Sequence, residues 1–248
     1  MPLFNEAKAI ERSLEELHSN LTKHFYEPIF FIQNDASTDS SLQVIQSLSL
    51  FTQGKVLVES NPVNVGHGPS VMRAYHRALR SNHEIVLHVD SDGDLAFESV
   101  VKCVDLVREG RHDVVIGARV GRNDPLYREI VTRLLRYAIF ILFGVVSRDV
   151  NSPIRVYRRN ALAHFLKRCP LSPVTPHVLL TVISHKSERT LCYQPVPIAS
   201  GQSQSALGST WRSSRRLLGI PTRFTRLLLK ATLELLVFRA KMARAVVS

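Results

Sequence analysis

The chain has few acidic residues, few cysteines and few aromatic residues, and each shortage narrows the classes of protein it can belong to. Its 248 residues include 21 Asp and Glu against 32 Lys and Arg, which gives a formal charge of +11 at pH 7. Such an excess of positive charge favours anionic partners, namely nucleic acids, anionic lipid headgroups or phosphorylated substrates. The hydrophobic fraction of 45% is that of a globular protein, so an intrinsically disordered chain is excluded.

The cysteine pattern argues against a disulfide framework and against a zinc site. The chain has 3 cysteines, an odd number, and none of them forms a C-x-x-C pair. They are Cys103, Cys169 and Cys192. We therefore expect reduced thiols in a reducing compartment.

Long apolar runs are also missing. The longest one, 138–146, is shorter than the roughly 20 residues that a membrane-spanning helix needs. The first residues lack the basic region followed by an apolar region that marks a signal peptide. We expect no signal peptide and no transmembrane helix, so that any membrane contact is peripheral and on the cytoplasmic face.

What the sequence does have is an alternation of short apolar runs with helical periodicity. Strands are predicted at 29–32, 55–59, 84–89 and 113–117, with helical spacing between them. This alternation predicts an α/β fold with a mostly parallel sheet and helices on both faces. In such folds ligands bind at the carboxyl ends of the strands. Polar clusters lie at those ends, at 34–37, 90–94 and 119–122.

The sharpest local signal is an acidic cluster after the predicted strand 84–89. Asp90, Asp92 and Asp94 place three carboxylates within five residues, where they repel one another unless a cation compensates them. Oxygen ligands suit Mg²⁺ or Mn²⁺, which commonly share coordination with substrate phosphates. The alternative interpretation is a solvated acidic turn that caps the next helix, because the motif is short.

Arginines follow the last predicted strand. Arg119, Arg122 and Arg128 are candidates for binding phosphate oxygens, since a guanidinium group matches that geometry. The alternative is solvated surface arginine, the usual position of this residue type. The segment 149–155 is a dense polar loop after an apolar helix, and it can also be an ordinary connection.

The tail from 211 to 248 is basic and has helical periodicity, and two interpretations remain open for it. One is an amphipathic helix in the headgroup layer of an anionic membrane. The other is a helix packed on the domain with a solvated basic face. Nucleic acid is not expected as a partner, because no recognised binding motif is present and the tail has few aromatic residues for base stacking.

Five short motifs, in order, carry a resemblance to a known family. The sequence resembles family 2 glycosyltransferases of the GT-A fold, especially dolichol-phosphate mannosyltransferase and related polyisoprenyl-phosphate glycosyltransferases. The motifs are P-L-F-N-E at 2–6, N-D-A-S-T-D at 34–39, N-V-G-H-G at 64–68, D-S-D at 90–92 and G-A-R at 117–119.

The resemblance implies a role for each matching residue. It implies nucleotide binding by Pro2, Phe4, Glu6 and Asp35, and metal binding by Asp90, Asp92 and Asp94. It implies phosphate or substrate binding by Arg119, Arg128 and Arg155, and orientation or activation of the acceptor by Asp149.

The resemblance also implies an activity and a domain arrangement. A GT-A domain, 1–205, would transfer a sugar from a nucleotide-diphosphate donor to a polyprenyl-phosphate acceptor, with Mg²⁺ or Mn²⁺ and with inversion. The basic helical region, 206–248, would contact the anionic membrane surface. Two departures stand out: the first strand of the fold is missing before Pro2, and Asn34 replaces an aspartate of the family motif. A soluble or polysaccharide acceptor is the alternative within the class, and a non-catalytic basic membrane-surface protein is the alternative outside it.

Overall fold

The computed structural model confirms the predicted α/β fold. It describes residues 1–24, 26–91, 96–121, 126–197, 216–217 and 220–247, and at 126–128, 216–217, 220–224 and 244–247 it describes the backbone only. Asp92, Asp94 and the segment 198–215, which joins the two predicted regions, lie outside the described residues.

The first half of the chain builds a parallel sheet. Strand β1 (Pro2–Leu3) pairs with β2 (Phe30–Asn34), and β2 pairs in turn with β3 (Val56–Ser60). The connecting helices are α1 (Ile10–Lys23), α2 (Ser41–Ser47) and α3 (Ser49–Thr52). Because successive parallel strands need a crossover, the helices between them pack on the sheet faces.

The second half builds a mixed sheet in the order β4–β6–β5–β7. Its strands are β4 (Ile85–His88), β5 (Val114–Val120), β6 (Arg155–Arg158) and β7 (Leu191–Pro197). Its helices are α4 (His67–Ala78), α5 (Phe97–Arg108), α6 (Leu126–Phe143), α7 (Arg159–Leu166) and α8 (Pro176–His185). A ribbon of β8 (Arg216–Leu217) and β9 (Ile220–Pro221) precedes the last helix, α9 (Thr222–Val247).

Strand β6 lies antiparallel between β4 and β5. It begins at Arg155, the last residue of the predicted polar loop 149–155, and no strand was predicted there. Arg155, Val156 and Tyr157 are all buried, so both faces of this strand are buried although its sequence begins and ends with arginine. Alternation of apolar and polar residues identifies strands with one exposed face. It does not identify β6, in which a charged side chain is hydrogen-bonded inside the core.

The core has two parts. In α1 the buried residues Ile10, Leu14, Leu17 and Leu21 recur three or four positions apart, so a single helix face packs into the first part, which also contains buried residues of β2 and α5. The second part combines α4, α7 and α8 with α6 and α9. In the described part of the chain, no helix combines the length and apolarity that crossing a membrane requires.

Helix α9 is attached to the domain by its apolar face and by one carboxylate. Leu235 and Phe238 are buried, and Phe238 lies against Phe143 of α6 with ring centroids 6.0 Å apart. Glu234 accepts hydrogen bonds from the backbone amides of Val174 and Thr175 at 2.7 and 2.9 Å, which places its charge at the start of α8. One face of the basic tail therefore packs on the domain.

Candidate metal and nucleotide site

Asp35, which follows β2, organises the loop that leads into α4. Its Oδ1 accepts hydrogen bonds from the Val65 amide and from Asn61 Nδ2, both at 2.8 Å, and its Oδ2 accepts one from the Gly66 amide at 2.8 Å. The residue is 3% exposed. Gly66 has φ +95, a conformation that glycine adopts without strain. The carboxylate therefore fixes the position of the next residue, His67.

The predicted nucleotide residues Pro2, Phe4 and Glu6 lie on the segment next to Asp35. Pro2 is buried in β1 opposite Gln33, and Phe4 is half-buried just beyond the strand. The Glu6 amide donates to Ser41 Oγ at 2.9 Å, and the Asp35 amide donates to the Leu3 carbonyl at 2.8 Å. The structure thus brings the predicted nucleotide residues together, and their contact with a nucleotide stays a prediction.

A second cluster forms where β4 ends. One ligand atom each from His67, Asp90 and His177 lie within 4.8 Å of one another. His67 begins α4, Asp90 follows β4, and His177 lies in the first turn of α8. Three separate elements therefore aim two imidazoles and one carboxylate at a common point.

Two members of this cluster have polar atoms that the described protein does not satisfy. His177 is 2% exposed, and neither of its ring nitrogens has a hydrogen-bond partner among the described residues. The same is true of Asp90 Oδ1. His88 Nε2 lies 3.4 Å from Asp90 Oδ1, which is longer than a normal hydrogen bond. Buried polar atoms without partners are rare and costly, so the cluster is suited to an additional ligand.

The charges around the cluster favour the ligand forms of these groups. Burial would raise the pKa of Asp90, but contact with His88 and the charges of His67 and Arg119 outweigh it and lower the pKa to about 2. Burial lowers the pKa of His177 well below its usual range, and the nearby charges of His88 and Arg155 act in the same direction. At neutral pH the site therefore presents a carboxylate and an imidazole with a free lone pair.

Close packing between α4 and the segment before α8 brings the two histidines together. A side chain at Gly68 would collide with the backbone carbonyl of Pro173, so only glycine allows this approach. The rings of His67 and His177 lie 5.9 Å apart as a result. Gly66 and Gly68, the two glycines of the N-V-G-H-G motif, thus position His67.

Arg119 and Asp149 form an ion pair beside this cluster. Arg119 Nε and Nη2 donate to the Asp149 carboxylate at 2.8 and 3.1 Å, and Nη2 also donates to the Asn151 carbonyl at 3.1 Å. Burial would raise the pKa of Asp149, but the hydrogen bonds and charge of Arg119 outweigh it, so the pKa is lowered. Asp149 is thus ionised and fixes the direction of the Arg119 guanidinium; a role in acceptor activation stays a prediction.

Arg155, predicted to bind substrate, is inside the core. Its exposed fraction is 0%, and its guanidinium donates to the carbonyls of Ser152 and Val150 at 3.0 and 2.9 Å and to Thr181 Oγ1 at 2.9 Å. These bonds hold the 149–155 loop on α8. A direct contact with substrate would require some of them to break, so this role also stays a prediction.

Four predicted residues cannot be placed in the site. Asp92, Asp94 and Arg122 are outside the described residues, and Arg128 lies in α6 at a position where only the backbone is described. His67 and His177 were not predicted from the sequence as candidate ligands. More than 100 positions separate them in the chain, so no local spacing rule joins them, and only the folding of α4 against α8 does.

The fold and the site together define a class: an α/β protein whose strand ends gather acidic, imidazole and guanidinium groups suited to a metal and a phosphorylated ligand. The model of the Glycosyl transferase family 2 matches residues 1–166. The chain belongs to this family.

Curated relatives are distant. A UDP-N-acetylglucosamine–dolichyl-phosphate N-acetylglucosaminyltransferase from Methanococcus voltae is 23% identical over 178 residues, which are 65% of this chain and 69% of that protein. A polyprenol monophosphomannose synthase from Mycolicibacterium smegmatis is 24% identical over 167 residues, covering 65% of this chain and 61% of that protein. An undecaprenyl-phosphate 4-deoxy-4-formamido-L-arabinose transferase from Pseudomonas fluorescens is 24% identical over 159 residues. These residues are 64% of this chain and 46% of that protein.

Solved structures show the same fold. Glucosyl-3-phosphoglycerate synthase from Mycobacterium tuberculosis, in complex with Mn²⁺, uridine diphosphate and phosphoglyceric acid, superposes with a TM-score of 0.64 at 17% identity. The superposition covers 96% of this chain and 76% of that chain. The expected GT-A fold is thereby confirmed.

Proposed function

We propose that this protein transfers a sugar from a nucleotide-diphosphate donor to a polyprenyl-phosphate acceptor, with a divalent metal and with inversion at the anomeric carbon. The observation that carries the proposal is the convergence of His67, Asp90 and His177 beside Arg119. The acceptor class is inferred from the names of the curated relatives, which act on dolichyl, polyprenol or undecaprenyl phosphates.

The nucleotide-sugar donor would lie between the predicted nucleotide residues around Asp35 and the His67–Asp90–His177 cluster. Asp35 fixes the 65–66 backbone, and the next residue, His67, belongs to the metal cluster, so the nucleotide region and the metal region are adjacent along one loop. Pro2, Phe4, Glu6 and Asp35 would surround the nucleoside. The diphosphate would then extend toward Asp90.

The residues at the cluster fit a divalent cation. The donor set combines imidazole nitrogens with a carboxylate oxygen, which suits Mn²⁺ better than Mg²⁺, because Mg²⁺ prefers oxygen ligands in octahedral geometry. His67, Asp90 and His177 would hold the ion, and Asp92 and Asp94 remain candidate ligands from the acidic motif. When bound, such a cation neutralises charge on the departing nucleoside diphosphate.

Arg119 is the candidate for the phosphate groups of donor and acceptor. Asp149 orients the Arg119 guanidinium, and the positive charge of Arg119 lowers the pKa of both Asp90 and His177. A polyprenyl phosphate is anionic at neutral pH, so its oxygen can attack the anomeric carbon without a general base. Arg128 and Arg155 remain candidates for the acceptor side.

A peripheral position on the cytoplasmic face of a membrane would deliver this acceptor. Helix α6 exposes Ile130, Leu134, Tyr137 and Ile141, and each is more than half exposed. Helix α9 exposes Leu229 and Leu233 to a similar extent. Apolar side chains at helical spacing, together with a chain charge of +11, are the features by which helices bind anionic membrane surfaces.

Sugar transfer to defined acceptors tests the proposed function. The protein is incubated with Mn²⁺, a panel of radiolabelled UDP- and GDP-sugars, and undecaprenyl phosphate in vesicles or soluble saccharides. We expect label in the organic phase, lost with a chelator and reduced at least about 100-fold in Asp90→Asn. The control Glu15→Gln, which changes an exposed acid on α1, is expected to retain wild-type transfer.

Each other outcome of this assay favours a different function. Label only in the soluble saccharides would replace the lipid acceptor with a polysaccharide-type acceptor. Vesicle binding without metal-dependent transfer from any donor of the panel would contradict the proposed enzyme and favour a non-catalytic membrane-surface protein.

A further inference from the structure

Helix α9 carries a single acidic residue, Glu234, in an otherwise basic region. Glu234 is the only Asp or Glu in the sequence of 206–248. It follows the buried Ala231 by three positions and precedes the buried Phe238 by four, so it lies on the packed face of the helix. The side chain is half-buried and is directed at the domain rather than at the exposed face of α9.

The Glu234 carboxylate binds the two residues that precede α8. Its Oε1 accepts a hydrogen bond from the Val174 amide at 2.7 Å. Its Oε2 accepts one from the Thr175 amide at 2.9 Å and another from Thr175 Oγ1 at 2.7 Å. Hydrogen bonds to a carboxylate are about twice as strong as those between neutral groups. These three bonds therefore fix the backbone before α8 relative to α9.

Glu234 supplies a cap that α8 does not have in its own sequence. In a capping box, an acid at the third helical position binds the amide of the N-cap residue. Thr175 is the N-cap residue of α8 and makes no side-chain cap of its own, and the third helical position is Val178. The carboxylate comes instead from a residue about 60 positions further along the chain. The start of α8 thus depends on α9.

The other side of the same segment packs on the start of α4. A Cβ atom on Gly68 would lie 1.9 Å from the Pro173 carbonyl oxygen and 3.1 Å from that of Val174. These carbonyls belong to the same two peptide bonds whose amides bind Glu234, and in a trans peptide the C=O and N–H groups point in opposite directions. Two successive peptide groups are therefore held between α4 on one side and α9 on the other.

His177 takes its position from this held segment. It lies two residues after Thr175, and its ring centroid is 5.9 Å from that of His67 and 4.5 Å from that of His88. No hydrogen bond within the described part of the chain fixes its ring nitrogens. The direction of the imidazole is thus set by packing and by the backbone that carries it. Groups that orient a metal ligand commonly change metal affinity by about 10- to 100-fold.

We propose that Glu234 is a positioning residue for the His67–Asp90–His177 cluster. It holds the segment 173–175 against α4 and so keeps the His177 imidazole directed at the other two ligands. This role rests on the metal site of the proposed function. Helix α9 is then a part of the metal site as well as of the proposed membrane surface.

A double-mutant cycle in the full chain, read out by Mn²⁺ titration, tests this role. Glu234→Gln keeps the side-chain length and one acceptor oxygen, but it turns an amide group toward a backbone N–H. We expect this variant to weaken Mn²⁺ binding about tenfold. In the His177→Phe background we expect a further change below about twofold, because Glu234 acts through that ring. Equal weakening in both backgrounds would overturn the proposal.

A matched control separates positioning from stability. Phe238→Leu weakens the contact with Phe143 on the same face of α9 and leaves Glu234 in place. We expect it to lower the melting midpoint and, below that midpoint, to bind Mn²⁺ within about twofold of the wild type. If the loss of Mn²⁺ affinity instead follows the loss of stability in both variants, Glu234 is a structural contact only and the proposal is wrong.

Nuclear magnetic resonance of the metal-free protein with isotope-labelled histidine gives a readout that needs no metal. We expect the ring signals of His177, identified by their loss in His177→Phe, to shift in Glu234→Gln and to stay unchanged in Phe238→Leu. Glu234→Asp keeps the charge on a side chain one methylene shorter, and we expect a shift there too.

The two readouts separate failure of this role from failure of the proposed function. A wild type that binds no Mn²⁺ contradicts the metal site of the proposed function, and the His177 ring signals then still decide whether Glu234 orients that ring. Ring signals that stay unchanged in both Glu234 variants contradict the positioning role, whatever the wild type binds.

Discussion

At the scale of single residues, Asp35 shows how one buried carboxylate can fix the backbone of a neighbouring loop. Its two oxygens accept three hydrogen bonds, two of them from consecutive backbone amides. Because those amides precede His67, the geometry of the His67–Asp90–His177 cluster depends on a residue that the family resemblance connects with nucleotide binding.

The substitution Asp35→Asn tests this organising role. An asparagine keeps one acceptor oxygen and turns an amide group toward donors, so at least one buried N–H loses its partner. We expect a loss of about 1–3 kcal/mol in the free energy of unfolding, measured by urea denaturation. The control Glu59→Gln alters a carboxylate that is 56% exposed and paired with Arg77, and we expect a change below about 0.5 kcal/mol. Equal stability of the two variants would contradict the role of Asp35.

Single residues also show which parts of the candidate site can be predicted from the sequence. Asp90 could be predicted because its acidic neighbours follow an apolar strand in the same short segment. His67 and His177 could not, since neither has a ligand-type neighbour at a recognisable spacing. Arg119 and Asp149 are an intermediate case. Each residue was predicted as a candidate, but their ion pair was not, because it forms only when β5 and the loop before β6 come together in the fold.

At the scale of elements, the parallel strands were predictable because each is a short apolar run between helical segments. Strands β2 to β5 lie within a few residues of their predicted positions. Strand β6 was not predicted, because Arg155 interrupts the apolar pattern and one of the groups that bind its guanidinium inside the core, Thr181 Oγ1, lies 26 positions away in the chain. Helix α6 has a packed face, where Ile139 and Phe143 are buried, and an exposed face, where Leu134 and Ile141 are more than half exposed.

The exposed faces of α6 and α9 allow a test of membrane binding. Leu134 and Leu233 are 61% and 63% exposed, so Leu134→Asp with Leu233→Asp leaves the fold intact while adding charge to the apolar surface. We expect binding to phosphatidylglycerol vesicles, measured by co-sedimentation, to weaken about tenfold or more.

The loop before α8 supplies the control for the membrane experiment. Leu171 is 78% exposed and lies on neither helix, so Leu171→Asp makes the same chemical change elsewhere. We expect this variant to bind vesicles as the wild type does. Vesicle binding that both variants retain, or that both lose equally, would contradict a specific role for the two helices.

At the scale of the whole molecule, the proposed chemistry depends on two halves that meet at the strand ends. The first sheet supplies Asp35 and the loop into α4, and the second supplies Asp90 and Arg119. Helix α8 adds His177 from a part of the chain beyond the 1–166 match to the family model. The site is therefore a product of the complete fold rather than of one motif.

Titration with Mn²⁺, followed by electron paramagnetic resonance with and without uridine diphosphate, tests the central claim most directly. Both ring nitrogens of His177 lack partners among the residues described, so His177→Phe preserves shape and is expected to keep the fold stable. We predict that the wild type binds Mn²⁺ more tightly than Mg²⁺, that uridine diphosphate strengthens binding, and that His177→Phe and Asp90→Asn each weaken it at least about tenfold. The exposed control His24→Ala should bind as the wild type does. Undiminished Mn²⁺ binding in His177→Phe and Asp90→Asn would contradict a metal site at this cluster.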